Sequence, residues 1–170
     1  LSATGSNASI TVFGNLHVGY EGTGAFSLNQ GAGFYGIYAF VGTNSVDSKG
    51  SMTLDGAGTT FTLNNDLHIG LNGTGTLSVT NGARGSTSQL LLGTNTGAVG
   101  TATVSGAGSS WLAYSYLSIG HDGSGTLDIT DGGVVSGGYP FGSFIGNEAT
   151  GSGTVNVKGA GSKLSVTDLS

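Results

Sequence analysis

Short alternations of apolar and polar residues recur along the chain. Six segments place two apolar residues two positions apart. The pairs are Phe26/Leu28, Met52/Leu54, Leu77/Val79, Ala102/Val104, Leu127/Ile129 and Val155/Val157. The residues between and beside them are small and mostly carry hydroxyl groups. Because alternation with period two is typical of a strand with one buried face, the pattern predicts six short β-strands against a core.

A glycine precedes each of these segments, and the glycines recur at a nearly constant interval. They are Gly24, Gly50, Gly75, Gly100, Gly125 and Gly153. A second strand in each unit ends in an apolar-x-apolar-Gly sequence, as at 67–70. A third follows the Gly-Ala-Gly sequences at 56–58, 106–108 and 159–161. The repeating unit therefore has about 25 residues and three short strands, and a second similarity relates every other unit, as in 67–79 and 117–129.

Stacking of these units is the arrangement that buries their apolar residues. A unit of this size cannot enclose its own core, whereas units stacked at ~4.8 Å pair every strand with its copies above and below. We therefore predict an all-β, parallel β-helix (β-solenoid) of roughly seven coils. A sandwich gives no reason for the regular repeat, and at about 50 residues a blade the chain is too short for a propeller of four or more blades.

Composition supports this architecture and narrows the function classes. The chain has 35 glycines in 170 residues, as expected where corners need positive φ or a close backbone approach. Four Lys and Arg against nine Asp and Glu provide no basic stripe, so we expect no nucleic-acid partner. No apolar run approaches the ~20 residues of a membrane helix, so we expect no membrane insertion.

The repeat boundaries predict the domain organisation. Residues 1–170 form a single β-solenoid segment, made of about three double-coil repeats, each about twice the length of the single unit. Leu1-Ser2-Ala3 aligns with Met52-Thr53-Leu54, and the last residues align with 66–68, so both ends fall inside coils. We therefore expect a piece of a longer repeat array.

The repeat sequences resemble a known family. Segments such as Ile69-Gly70…Gly73-Thr74-Gly75-Thr76-Leu77 and Val104-Ser105-Gly106-Ala107-Gly108-Ser109-Ser110-Trp111 are similar to the β-strand repeats in passenger domains of bacterial autotransporters (type V secretion). The resemblance covers nearly the whole chain. It implies a right-handed β-helix, an adhesin-like role, and an extracellular location, either secreted or on the bacterial cell surface. The sequence departs from the pattern at Gly5-Ser6-Asn7 and in the longer segment 137–143.

Candidate catalytic and metal-binding residues are scattered. His17 and His68 occupy equivalent outward positions two coils apart, about 10 Å, with Leu91 expected between them. That spacing exceeds the reach of one metal ion, so we expect exposed polar side chains there. Arg84 is the only arginine, and the carboxylates form no repeating ladder. We predict a non-enzymatic protein with no cofactor and no metal site, and we leave open calcium at the single turn 122–128.

Aromatic residues are the best candidates for partner or glycan contact. Tyr35 and Tyr38 of the first double coil occupy the connection that Tyr139 and Phe141 occupy in the third, whereas the second has no aromatic residue there. Variation within a repeat suggests a surface loop, in which Tyr and Phe present rigid contact area. We expect Trp111, which aligns with Phe61 and Leu164, to lie inside the core.

Three functions remain under consideration. The leading hypothesis is a surface-exposed adhesin or biofilm/matrix segment, a rod whose many weak contacts reach host or bacterial surfaces, matrix glycans or identical chains. The alternative is a self-assembling extracellular fibre subunit that stacks end to end through homotypic contacts. The third is a glycan-binding β-helix centred on the aromatic residues.

Overall fold

All 170 residues are described by the structure, a computed structural model with eighteen β-strands and no helix. The strands are β1 (Ser2–Thr4), β2 (Ser9–Thr11), β3 (Asn15–Val18), β4 (Thr23–Asn29), β5 (Gly33–Gly36), β6 (Tyr38–Val41), β7 (Lys49–Asp55), β8 (Thr60–Leu63), β9 (Asp66–Ile69), β10 (Thr74–Thr80), β11 (Arg84–Leu92), β12 (Val99–Ser105), β13 (Ser110–Ile119), β14 (Ser124–Thr130), β15 (Val134–Gly137), β16 (Ser143–Ile145), β17 (Ser152–Lys158) and β18 (Lys163–Val166). Each strand pairs in parallel with its neighbours in space.

These strands form seven coils with three faces. Face A is the sheet β1-β4-β7-β10-β12-β14-β17. Face B contains β2, β5, β8, residues 84–87 of β11, residues 110–113 of β13, β15 and β18. Face C contains β3, β6, β9, residues 89–92 and 116–119, and β16. The predicted parallel β-solenoid is confirmed, and each turn has the length of the single repeat unit.

The recurring glycines form one column at the start of face A. Gly24 pairs with Gly50, and the register continues without a shift through Gly75, Gly100 and Gly125 to Gly153. A Cβ atom at any of these positions would lie 2.0–2.3 Å from a backbone atom of the adjacent corner. Glycine is therefore required here by the close approach of two backbone segments, which makes it a reliable marker of the register.

Corners between faces A and B alternate between two forms. Coils 3, 5 and 7 turn through Gly-Ala-Gly, in which both glycines have φ between +80° and +93°. Coils 2, 4 and 6 turn through a pair in which the non-glycine residue also has a positive φ of 53–55°. These pairs are Gln30-Gly31, Asn81-Gly82 and Asp131-Gly132. The role of glycine at corners that need a positive φ, which the composition indicated, is confirmed at these positions.

A hydroxyl group joins the two corner forms. Ser109 Oγ, which is buried, accepts a hydrogen bond of 2.9 Å from the backbone N–H of Gly82 in the coil before. Thr59 and Ser162 accept the equivalent bonds from Gly31 and Gly132. Because an N–H without a partner at a partly buried corner is costly, the Ser or Thr hydroxyl of one coil complements the corner of the coil before it. This pairing gives a physical reason for the double-coil repeat.

A single apolar core of 27 buried residues runs through the coils. Trp111 is 1% exposed and follows Phe61 and Gly85 in one inward column, so its predicted internal position is confirmed. Its ring fills the space left by Gly85, where a Cβ atom would lie 2.1 Å from Cζ3 of the indole. In the last coil, the inward Val157 is 45% exposed, because no further coil covers it.

Candidate contact surfaces

The structure separates the four aromatic residues that the sequence grouped together. Tyr35 and Tyr38 lie in strands β5 and β6, so the expectation of a surface loop is wrong for these two. Tyr139 and Phe141 lie in the irregular segment between β15 and β16. Tyr35 and Tyr139 are four coils apart, or about 19 Å along the axis. They therefore belong to two different surfaces.

Tyr35 borders a shallow depression on face B. It lies on the outer side of β5 with 43% of its surface exposed, and its hydroxyl accepts a hydrogen bond of 2.6 Å from Asn64 Nδ2. Gly33, which has no side chain, lines the depression. The other outward residues that line it are Ser9, Thr11, Thr60 and Thr62. An aromatic ring with a hydrogen-bonded hydroxyl thus lies beside four hydroxyl groups.

The outer surface of face B differs in charge from the rest of the chain. Its two outward columns are Ser9-Gly33-Thr60-Arg84-Ser110-Val134-Lys163 and Thr11-Tyr35-Thr62-Ser86-Leu112-Ser136-Ser165. These columns contain two cations and no carboxylate, although the chain carries a net charge of -5. The two outward columns of face B therefore carry only positive charge, at Arg84 and Lys163, on an acidic protein.

Face C carries a stack of rings on its outer side. The ring centroids of His17 and Phe40 are 5.1 Å apart, and those of Phe40 and His68 are 5.2 Å apart, with nearly parallel planes. Tyr38 lies beside Phe40 at 6.2 Å. The expectation that Leu91 separates the two histidines is wrong, because Leu91 pairs on the far side of His68. The rings cover one another's faces, so this stack contributes to packing.

His68 is the most perturbed titratable group. Burial and, to a smaller extent, the nearby His121 lower the pKa of His68 from 6.5 to about 4. Its Nδ1 lies 3.0 Å from Thr94 Oγ1, which fits a hydrogen bond of the neutral ring. The expectation of an exposed side chain is therefore wrong for His68, although His17 is exposed.

A second group of aromatic residues, which the sequence analysis missed in part, lies near coils 5 and 6. Tyr139 and Phe141 are exposed, and Tyr114 is exposed on the coil before them. The rings of Tyr116 and Phe144 are in contact, with centroids 5.5 Å apart. The available signal was the long uninterrupted run 110–119, which predicts a strand that continues around a corner and projects side chains outward.

Most outward side chains of face A carry hydroxyl groups, and we call this surface the hydroxyl field. One column runs from Ser51 through Thr76, Thr101 and Thr126 to Thr154 in unbroken register. The adjacent column is also mostly Ser and Thr, and at its end Asn156 Nδ2 donates to Asp128 Oδ1 over 2.8 Å. Similar polar groups are thus repeated at the spacing of the coils.

The carboxylates are dispersed over the coils. No group of three or more His, Cys, Asp or Glu side chains is placed to hold a metal ion. At the turn considered for calcium, Asp122 Oδ1 lies 3.3 Å from Thr150 Oγ1, while Asp128 accepts its bond from Asn156 on face A. These two carboxylates therefore have different hydrogen-bond partners on different parts of the coil.

Comparisons with known proteins supply no further guide to function. The structure has no helix that could cross a membrane. No family model, curated protein or solved structure matches the chain. The function of this chain must therefore be inferred from its three outer faces.

Proposed function

We propose that this chain is a non-enzymatic, rod-like segment of a bacterial surface adhesin or biofilm matrix protein. The observation that carries the proposal is the continuous hydroxyl field of face A. Ser and Thr residues recur there in register through coils 3 to 7. The resemblance to autotransporter passenger repeats supports an extracellular, cell-surface location for such a rod.

Contact through face A would be collective. Each hydroxyl offers one donor and two acceptors, and the same group returns with every coil at a spacing of ~4.8 Å. Individual contacts of this kind contribute little, but rods held side by side on a surface engage many of them at once. Binding should therefore depend steeply on the density of rods, and the partners would be cell surfaces, matrix glycans or identical chains.

A bead assay tests this proposal. Beads carrying the chain at graded density are allowed to settle on epithelial cells, on extracellular matrix and on identical beads. The double variant Thr101→Lys/Thr126→Lys places charge and bulk in the middle of face A, and its retention should fall at least about tenfold at high density. The control Ala57→Lys/Ala107→Lys adds the same charge at exposed corners. Equal retention of both variants on every surface would refute a role for face A.

End-to-end assembly into a fibre is the second candidate. The observation that favours it is the constant register of the coils, because β4 and β7 pair over seven residues without a shift, as β14 and β17 do. An edge strand of one copy could therefore pair with an edge strand of another and continue the stack. Electron microscopy of the purified chain would then show filaments with a subunit rise of about 34 Å, seven coils of ~4.8 Å. Isolated short rods at all concentrations would count against it.

A further inference from the structure

We propose that the depression beside Tyr35 on face B binds an acidic polysaccharide, with one sugar ring against Tyr35 and its carboxylate paired with Arg84. The site is discrete and lies on a different face from the hydroxyl field of face A. The proposal therefore goes beyond the adhesin function, and each can fail without the other.

Tyr35 is the aromatic residue best prepared to receive a sugar ring. Its neighbours in the outward column are the small residues Thr11 and Thr62, and it takes part in none of the aromatic pairs of the chain. Its hydroxyl accepts a hydrogen bond from Asn64, which restrains the ring and lowers the side-chain entropy lost on binding. The rings of His17, Phe40 and His68 on face C, in contrast, already stack on each other.

The walls of the depression supply hydrogen-bonding groups for sugar hydroxyls. Ser9 and Thr60 lie on either side of Gly33 in one outward column, and both are exposed. A Cβ atom at Gly33 would lie 3.5 Å from Thr60 Oγ1, so the absence of a side chain leaves room beside this hydroxyl. A ring seated over Gly33 would therefore meet hydroxyl groups at its edge and Tyr35 at its face.

The charge of face B selects an acidic sugar. Arg84 follows Thr60 in the same column, two coils or about 10 Å from Gly33, and its side chain is exposed. Its guanidinium group can bind a carboxylate through two parallel hydrogen bonds. No outward residue of face B repels an anion. Lys163 lies three coils further along the column, so an extended chain parallel to the axis would pass both cations.

Titration calorimetry with defined oligosaccharides tests the site. The probes are oligomers of galacturonate, of alginate and of hyaluronan, with neutral dextran and single-stranded DNA as comparison ligands. We expect saturable binding of at least one uronate oligomer, weakened at least about tenfold by Tyr35→Ala and by Arg84→Gln. Tyr35→Phe keeps the ring and should retain most of the affinity. Added salt should weaken binding of the parent chain more than that of Arg84→Gln.

Several results would overturn the proposal. These are the absence of uronate binding, equal affinity for dextran, equal affinity for DNA, or unchanged affinity in both variants. Tyr139→Ala provides the matched control, because it removes an exposed tyrosine from the other aromatic surface. Thermal unfolding verifies that the variants fold, which is expected since both substituted side chains are on the outside. Loss of uronate binding with unchanged bead retention would separate this site from the face A function.

Discussion

Burial of His68 predicts that the rod loses stability in mild acid. The folded protein keeps the ring neutral down to about pH 4, whereas the unfolded chain binds a proton below 6.5. Between these values the unfolded state holds more protons, so the free energy of unfolding must fall as the pH falls. At about 1.36 kcal/mol for each tenfold change in proton affinity, the full loss is about 3 kcal/mol. Above pH 6.5 His68 contributes no pH dependence.

A second titratable group, which is half-buried, acts in the opposite direction. Burial raises the pKa of Asp66 above its usual 3.8. The folded state then takes up a proton more readily than the unfolded state, so Asp66 stabilises the fold as the pH falls through that range. The two effects overlap near pH 4, and a variant that removes only the histidine is needed to separate them.

Urea unfolding of His68→Leu, followed by circular dichroism, makes that separation. Leucine is the residue that the next coil places at this position, as Leu91, so the substitution suits the outward column. The quantity compared is the pH dependence of the free energy of unfolding. Its absolute value also changes, because Thr94 loses its hydrogen-bond partner. Between about pH 7 and pH 4 the parent chain should lose about 3 kcal/mol more than the variant. His17→Leu, at the exposed end of the same stack, should behave like the parent chain.

The contradicting result is specific. If His68→Leu and the parent chain show the same pH dependence between about pH 4 and pH 7, the imidazole is not buried as a neutral group. A titration of the His68 ring followed by nuclear magnetic resonance gives a second measurement. A midpoint near the usual 6.5 would contradict the packing between Phe40 and Leu91 directly.

Two further predictions concern stability, and thermal or urea unfolding checks both. Gly85→Ala should destabilise the rod by about 1–3 kcal/mol, because the new methyl group collides with the ring of Trp111, whereas Gly22→Ala, in open space with no positive φ, should change the stability by less than about 0.5 kcal/mol. Equal effects would contradict the close contact. Ser109→Ala should lower the free energy of unfolding by about 1–3 kcal/mol, because the N–H of Gly82 loses its partner at a partly buried corner. A neutral result would contradict the hydrogen bond between the two corner forms.

The register of face A was predictable from sequence because the glycine that marks it is required for a single physical reason. At Gly100, for example, a Cβ atom would lie 2.0 Å from the carbonyl oxygen of Ile69, so the position must be glycine in every coil. The spacing of these glycines along the sequence is therefore sufficient to align the coils. The reason for the double repeat was not predictable, because the bond from Gly82 to Ser109 depends on how two different corners stack.

The wrong prediction that Leu91 separates His17 from His68 on face C also has a specific cause. The stretch of chain from His17 to its partner Phe40 is shorter than the stretch from Phe40 to its next partner, His68. The sum of these two steps equals the sequence offset that aligns the segment around His17 with the segment around His68. The alignment therefore matched the two histidines and missed Phe40, which lies between them. Burial of His68 follows from Phe40, which explains why the sequence indicated an exposed side chain there.

The division of roles among the three faces follows from what lies above and below each outward side chain. In a stack with a spacing of ~4.8 Å, large rings in adjacent coils cover one another, as Phe40 and His68 do, and little of their faces remains for a partner. Small hydroxyl residues at the same spacing do not cover one another, so face A can contact a partner along its length. Tyr35 is a large ring, but its neighbours above and below are two threonines, so the face of its ring stays uncovered. The bead assay on face A and the uronate titration on face B therefore test the surfaces whose contact groups remain free.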